Sequence, residues 1–208
     1  MNRFITIEGV EGAGKTTQAA RLADVLRREG HEVVLTREPG GTELGRRLRQ
    51  LLLDESSAAP TAETELLLYL ADRAEHVQRL IRPALDKGAV VIADRFSDSM
   101  IAYQGHGRGL PVETVRQLDD FARDGVEPGL TVVLDLPAEE GLARIHATRS
   151  SDRLENEDIE FHRRVRSGFQ AIAAEQPERV VVLDARDDVP ALAARIAGVV
   201  RQRLGAGK

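Results

Sequence analysis

The chain has 208 residues, with 29 basic and 34 acidic side chains and a formal net charge of −5. This length favours one α/β domain over residues 1–208. The excess of acidic residues argues against sequence-independent electrostatic binding to nucleic acid, because binding a phosphate backbone needs a basic surface. The absence of cysteine excludes disulfides and thiolate metal sites. No apolar run is long enough for a signal peptide or a membrane span, so we expect a soluble, cytoplasmic protein without nucleic-acid or membrane partners.

Five short apolar runs alternate with longer amphipathic stretches along the chain. The apolar runs predict strands at residues 4–7, 32–36, 89–93, 130–136 and 180–184. Because these runs do not alternate with polar residues, they are typical of a parallel sheet covered on both faces. The amphipathic stretches predict helices at residues 16–29, 43–53, 63–87, 112–123, 139–148, 159–175 and 189–204, with Pro83 kinking or dividing the third. This alternation predicts a doubly wound α/β domain, and the charged residues 149–158 predict a mobile excursion between two helices.

A phosphate-binding motif follows the first predicted strand and opens the first predicted helix. Residues 9–16 read GVEGAGKT and fit G-x-x-x-x-G-K-[ST] at every fixed position. Backbone N–H groups of such a loop form an anion nest at a helix N-terminus, Lys15 can reach the β- and γ-phosphates, and the Thr16 hydroxyl can ligate Mg²⁺. A chance Gly-rich turn is the alternative, and the strand before and helix after disfavour it. The ATP-binding residues predicted here are Gly9, Val10, Glu11, Gly12, Ala13, Gly14, Lys15, Thr16 and Thr17.

The reaction class follows from what accompanies this loop. The chain has neither the Asn-Lys-x-Asp tetrapeptide of GTPases nor the Leu-Ser-Gly-Gly-Gln motif of transporter ATPases, which favours a small-molecule kinase. Asp94 and Arg95 directly follow the third predicted strand, where side chains project into the ligand crevice of a parallel sheet. Asp94 can orient Mg²⁺-bound water and Arg95 can hold an acceptor phosphate, whereas the alternative is a surface ion pair.

Three further groups of residues are candidates, each with a structural alternative. Arg49 can bind phosphate or belong to a solvated arginine face of its helix. Tyr69 and Arg73 are four residues apart on one helix, so they can stack and hydrogen-bond a flat base or form a core tyrosine with a rim arginine. Arg149 and Arg153 open the charged excursion, where they can act as arginine fingers or join a salt-bridged loop.

The motifs of this chain, taken together, resemble those of a known family. They are GVEGAGKTT at 9–17, TREPGGT at 36–42, DRA at 72–74, DRF at 94–96, AYQGHGRG at 102–109, and DRLE at 152–155 before FHRRV at 161–165. In this order, and spread over nearly the whole chain, they resemble the bacterial thymidylate kinases whose lid supplies the catalytic arginine. The resemblance implies transfer of the ATP γ-phosphoryl group to dTMP, a P-loop NTPase fold with strand order 2-3-1-4-5, a lid at about 149–158, Mg²⁺ and a homodimer.

The resemblance also implies a role for each matching residue. Arg95 and Arg49 are expected to clamp the dTMP phosphate, Arg73 to donate to a thymine carbonyl and Tyr69 to stack on the base. The remaining acceptor-site residues are Glu38 and Pro39 in the pocket wall, Tyr103 beside the sugar, and Ser99, Met100 and Gln104 near the base. Met100 stands where the family more often has Ser, Thr or Asn. The predicted catalytic residues are Lys15, Asp94, Arg95, Arg149, Arg153 and Glu11, with Thr16 and Asp94 at the metal.

Two expectations go beyond the binding residues. Glu11 is anionic and lies in the phosphate loop, so we expect it to attract a lid arginine and favour closure. The apolar run at residues 66–68, with Leu70, leaves surplus hydrophobic surface on its helix and favours the homodimer. A kinase of another small acceptor, or a binding protein that uses its phosphate loop without turnover, are the alternative functions.

Overall fold

A computed structural model of the chain describes residues 3–54, 59–147 and 151–205. Its strands are β1 (Phe4–Gly9), β2 (Val33–Arg37), β3 (Val90–Asp94), β4 (Leu130–Asp135) and β5 (Val180–Asp184). All of them pair in parallel, in the order β2-β3-β1-β4-β5. The doubly wound sheet and its strand order are therefore confirmed.

The three inner strands are buried on both faces, whereas the two outer ones are not. Every residue of β1 and β3 is buried, as is β4 up to its last residue. On the edge strands, Leu35 of β2 and Val182 of β5 are exposed. The expectation of strands covered on both faces is thus right for the centre of the sheet and wrong for its edges, where no neighbouring strand completes the packing.

The helices occupy both faces of the sheet. Their bounds are α1 (Lys15–Arg28), α2 (Glu43–Leu53), α3 (Ala62–His76), α4 (Arg82–Asp86), α5 (Ser97–Met100), α6 (Val112–Arg123), α7 (Ala138–His146), α8 (Ile159–Glu175) and α9 (Val189–Gly205). α1 packs against α9, and α3 packs against α2 and α6. Residues 151–158 connect α7 to α8 without a helix or strand. None of the described helices is both long and apolar enough to cross a bilayer.

The third predicted helix is divided, as Pro83 suggested. A π-helical turn, Val77–Ile81, follows α3, and α4 begins beyond it with Pro83 in its first turn. Proline lacks the N–H for a helical hydrogen bond and crowds the carbonyl four residues earlier, so a locally wider turn before it relieves both problems.

One helical segment was not predicted. α5 continues directly into a π-helical stretch, Ile101–Gly107, so residues 97–107 form one winding segment beside the end of β3. α8 packs against this segment. The N-cap residue of α5 is Phe96, whose side chain cannot accept a capping hydrogen bond. The usual local signal for a helix start is therefore missing from the sequence.

Candidate active site

The phosphate loop leaves β1 in a conformation that requires glycine at two positions. Gly9 has φ 135°, and a Cβ there would lie 2.3 Å from the Leu134 carbonyl oxygen. Gly12 has φ 69°, and a Cβ there would lie 2.1 Å from the Gly141 carbonyl oxygen. Any larger residue at either position would force the loop away from β4 or α7. The glycines therefore allow the loop and its backbone N–H groups to pack closely against these two elements.

Lys15 lies at the start of α1 and is largely buried. Its Nζ donates to the Val10 carbonyl oxygen at 2.6 Å, which bends the side chain back over the loop. Burial, together with the positive charge of Arg95, lowers the pKa of Lys15 to about 8, although Glu11 opposes this shift. An anionic ligand at the loop would raise that pKa again, because it stabilises the charged ammonium.

Thr16 and Asp94 meet where β3 ends beside α1. The Thr16 hydroxyl donates to Oδ2 of Asp94 at 2.5 Å. Oδ1 of the same carboxylate is buried and has no hydrogen-bond partner among the described residues. A hydroxyl and a free carboxylate oxygen fit a hard cation such as Mg²⁺. No cluster of three or more acidic, histidine or cysteine side chains that could hold a metal occurs within residues 3–54, 59–147 and 151–205, so a cation here would need ligands from a bound phosphate.

Arg95 is held in a fixed position by both its backbone and its side chain. It adopts a left-handed φ of 73°, and its N–H donates to the Ile7 carbonyl oxygen at 3.1 Å. Its guanidinium donates to Glu11 at 2.6 Å and to the hydroxyls of Ser99 and Tyr103 at 3.0 Å each. It also lies 4.8 Å from the centre of the Tyr103 ring. A non-glycine residue in this conformation is strained and persists only where its surroundings hold it.

Among the described residues, the arginine that pairs with Glu11 is Arg95, whereas the expected lid residue Arg153 bonds Glu65; Arg149 lies outside the described residues. Glu11 also accepts from the Tyr103 hydroxyl at 2.8 Å. Although burial by itself raises the pKa of Glu11, the charges of Arg95 and Lys15 lower it to about 2. The carboxylate is therefore ionised at neutral pH, and it orients Arg95 and Tyr103 beside the phosphate loop.

The sequence analysis missed Glu8, the residue before the phosphate loop. Its side chain is fully buried, and it accepts from the N–H groups of Phe96 at 2.7 Å and Ser99 at 3.3 Å. Its second oxygen accepts from the Ser99 hydroxyl at 2.5 Å. Burial and the negative charge of Asp98 raise the pKa of Glu8 to about 7. Ser99, which we expected near the base, is bonded to Glu8 and Arg95 and also lines the cavity described below.

Arg73 is bound by two carboxylates although it also faces the cavity. It donates to Glu38 at 2.6 Å and to Asp119 at 2.5 Å, and all three side chains are buried. Its remaining contacts are Met100 Sδ at 3.5 Å and the Phe96 ring centre at 4.7 Å. Although burial alone raises the pKa of Glu38, the charge of Arg73 brings it below the usual range. Arg73 therefore links Glu38, which lines the cavity, to Asp119 on α6.

Arg153 is bonded to another buried carboxylate, that of Glu65, and does not line the cavity described below. Glu65 on α3 is fully buried and accepts from Arg153 at 2.5 Å, from Arg108 at 3.0 Å and from Gln104 at 2.9 Å. Nε of Arg153 donates to the Leu52 carbonyl oxygen at 2.8 Å. Arg153 is accordingly not among the residues that line the cavity, whereas the neighbouring Asp152, Leu154 and Glu155 are.

These elements enclose a cavity of about 460 Å³ beside the carboxyl ends of β1 and β3. Every residue predicted for the acceptor site lines it: Glu38, Pro39, Arg49, Tyr69, Arg73, Arg95, Ser99, Met100, Tyr103 and Gln104. Six residues of the phosphate loop line it as well: Glu11, Gly12, Gly14, Lys15, Thr16 and Thr17. The other three, Gly9, Val10 and Ala13, are buried and do not line it. Arg149 lies outside the described residues. Lining residues that we did not predict are Arg37, Leu53, Phe96, Arg144, Ile145, Asp152, Leu154 and Glu155. Of these, Arg37 stands inside the TREPGGT motif, Phe96 inside DRF, and the last three inside DRLE.

Comparisons with known proteins show the family to which the chain belongs. The family model described as thymidylate kinase matches residues 7–196. The chain is 56% identical to a thymidylate kinase from Synechococcus sp. (strain JA-2-3B'a(2-13)), over 97% of this chain and 95% of that protein. It is 47% identical to a thymidylate kinase from Geotalea uraniireducens over the full length of both chains.

A solved structure gives the same result. The crystal structure of thymidylate kinase from Ehrlichia chaffeensis is 38% identical and superposes with a TM-score of 0.79, covering 95% of this chain and 97% of that one. With a phosphate-loop motif, a cavity lined by arginines and this similarity over nearly its whole length, the chain belongs to the thymidylate kinase family, the enzymes that phosphorylate dTMP to dTDP with ATP.

Proposed function

We propose that this chain transfers the ATP γ-phosphoryl group to dTMP within the 460 Å³ cavity, forming dTDP and ADP in the cytoplasm. The observation that carries the proposal is the juxtaposition of two cationic groups. Lys15 of the phosphate loop and Arg95 after β3 line the same cavity, with Glu11 charge-coupled to both. One cation can hold the phosphates of a donor and the other the phosphate of an acceptor, which is the arrangement that in-line transfer requires.

The donor side is built from the phosphate loop and the end of β3. Lys15 would release the Val10 carbonyl and bind the β- and γ-phosphates, while the loop N–H groups hold the phosphate chain. Thr16 and Asp94 would hold Mg²⁺, since their hydroxyl and unpartnered carboxylate oxygen suit it. A Mg²⁺ ion held there would offset negative charge that develops on the phosphate oxygens during transfer.

The acceptor side is assigned from the opposite wall of the cavity. Arg95 would hold the dTMP phosphate together with Arg49, which donates to the Pro39 carbonyl oxygen at 3.2 Å and so stays close to the loop after β2. Tyr69 would stack on thymine, and Arg73, already oriented by its carboxylates, would donate to a base carbonyl. The other residues proposed to contact dTMP are Glu38 in the wall, Tyr103 beside the sugar, and Ser99, Met100 and Gln104 toward the base.

The lid supplies the remaining positive charge in this proposal. Arg149 and Arg153 would neutralise charge on the transferring group, as arginine fingers do. Arg153 is bonded to Glu65 and to the Leu52 carbonyl, so its approach to the phosphates requires those bonds to open. Closure of residues 149–158 over the cavity would also exclude water.

We also propose a homodimer. Exposed apolar side chains lie on three helices that pack against one another, namely Leu44 and Leu51 on α2, Leu67 on α3 and Phe121 on α6. Phe121 is 86% exposed, which is unusual for so large an apolar side chain. Of the apolar run on α3, Leu66 and Leu70 belong to the core, so Leu67 is the residue of that run that is left exposed. A second copy of the chain would bury this surface.

An ADP-release assay tests the acceptor assignment. dTMP, dUMP, dCMP, AMP and GMP are compared at fixed ATP, and dTMP is expected to have the highest kcat/KM. The 5-methyl group should favour dTMP over dUMP by about 1–3 kcal/mol in an apolar pocket. Faster phosphorylation of another nucleotide would assign the site to a different acceptor, and binding of ATP without turnover would identify a nucleotide-dependent binding protein.

A further inference from the structure

We propose that Glu8 is a positioning residue, whose buried carboxylate fixes the Ser99 hydroxyl and the start of α5 and thereby holds the Arg95 guanidinium ready for the acceptor phosphate. The inference rests on the proposed role of Arg95 in binding that phosphate. Glu8 itself does not line the cavity, so it would act through its neighbours.

The first step of the argument concerns the backbone. Arg95 is strained, with φ 73°, and it is tethered to β1 on both sides. Its own N–H donates to the Ile7 carbonyl oxygen, and the N–H of the next residue, Phe96, donates to Glu8. The side chain of Glu8 therefore replaces the N-terminal cap that α5 lacks, and it ties the helix start to the strand that opens the phosphate loop.

The second step concerns the direction of one hydroxyl proton. In its ionised form the Glu8 carboxylate can only accept, so the Ser99 hydroxyl then gives its proton to Glu8 at 2.5 Å. Its lone pairs are then free to accept from Nη1 of Arg95 at 3.0 Å. Ser99 thus presents a fixed acceptor to Arg95, which donates with its other terminal nitrogen to Glu11 and Tyr103. Nη1 also donates to the Gly9 carbonyl oxygen at 3.3 Å, so four groups hold the guanidinium, and Glu8 determines how one of them, Ser99, is oriented.

The third step separates this role from a role in stability. Burial raises the pKa of Glu8 to about 7, so the ionised side chain costs the fold free energy at neutral pH. Glutamine has the same shape without the charge. Its carbonyl can still accept from the backbone N–H groups, but its NH₂ end donates to Ser99 and reverses that hydrogen bond. E8Q should therefore keep the fold while it loosens Arg95.

The test compares E8Q, S99A, the double variant E8Q/S99A and R95A with the unaltered protein. For E8Q we expect the KM for dTMP to rise about tenfold or more, since a hydrogen bond to a charged group is lost, while the KM for ATP and the melting temperature stay nearly unchanged. The affinity for thymidine, which lacks the phosphate, should not change. The double variant should raise the KM for dTMP no further than S99A alone, because both changes break the same chain of contacts from Glu8 through Ser99 to Arg95.

D98N is the matched control. Asp98 is a buried carboxylate on α5, next to Ser99 in the chain, but it bonds Thr131 and Arg179 rather than Arg95. We expect D98N to lower the melting temperature and to leave the KM for dTMP nearly unchanged. A loss of thymidine affinity in E8Q equal to the loss of dTMP affinity would make Glu8 a support of the whole pocket and overturn the inference.

The remaining outcomes separate this inference from the proposed function. If R95A raises the KM for dTMP and E8Q does not, Glu8 is not a positioning residue and the proposed role of Arg95 stands. If R95A leaves that KM unchanged, the role of Arg95 fails and the inference fails with it. Should E8Q not fold, S99A decides: a lower affinity for dTMP with unchanged affinity for thymidine supports the chain of contacts, and unchanged affinity for dTMP overturns it.

Discussion

Replacement of Arg73 by Met would remove the cation that two buried carboxylates share. The guanidinium is bonded to Glu38 at 2.6 Å and to Asp119 at 2.5 Å, and its side chain is 2% exposed. Methionine fills a similar volume but offers no charge, so both carboxylates would remain buried without their common partner. Leaving two buried carboxylates unpaired costs more folding free energy than breaking an exposed ion pair, whose remaining member is hydrated.

The size of the effect follows from that burial. Removing one member of a buried ion pair costs about 3–5 kcal/mol. For a chain of this length, each kcal/mol changes the melting temperature by roughly 2–4 °C. We therefore expect R73M to melt about 10 °C below the unaltered protein at neutral pH. Without the cation, burial would raise the pKa of Glu38 above its unfolded value, so the variant should regain stability as the pH falls.

Thermal unfolding followed by circular dichroism measures this effect, with R47M as the control. Arg47 pairs with Glu43 at 2.8 Å on the surface, where both side chains are more than 70% exposed, and its loss should shift the melting temperature by about 1 °C or less. If R73M and R47M melt together, the reasoning from burial is wrong. Kinetics add a second readout, because a contact with thymine predicts a much larger rise in the KM for dTMP than for ATP.

Three further predictions concern the lid, the phosphate loop and the surface. R153A should lower kcat by about 10³-fold at saturating ATP and dTMP, and a kcat near that of the unaltered protein would mean that the lid only covers the site. The pKa of Glu11 falls from 4.5 to about 2 on folding, so its ionised form adds stability that is complete above pH 4.5 and lost as the pH drops toward 2. E11Q should therefore lose less stability than the unaltered protein in denaturant titrations across that range, and equal losses would contradict this explanation. F121E should shift a dimer toward monomer in sedimentation, whereas a 22.8 kDa species alone in the unaltered protein would exclude the dimer.

Local patterns in the sequence were sufficient for the sheet and the phosphate loop. A strand buried on both faces is largely apolar, so β1, β3 and β4 are visible as short apolar runs even though β1 also buries Thr6 and Glu8 and β4 buries Thr131. The loop is equally local, because its glycines, Lys15 and Thr16 are neighbours in the chain and must stand at fixed spacing. The TREPGGT and DRF motifs likewise placed Glu38, Arg95 and their neighbours at one edge of the sheet, where the cavity lies.

What the sequence could not determine is the pairing of charges across long separations. Glu8 caps a helix 88 residues away, Arg73 joins carboxylates at separations of 35 and 46, and Arg153 meets Glu65 at 88. None of these partners can be read from spacing, because a buried charge takes whichever opposite group the packed elements bring beside it. Residues 97–107 show the same limit, since their helical start depends on a carboxylate from β1. The sequence alone therefore determined the fold and the location of the site, while tertiary packing decided which ion pairs hold it, because the cost of burying a charge is met only by contacts that form in the folded chain.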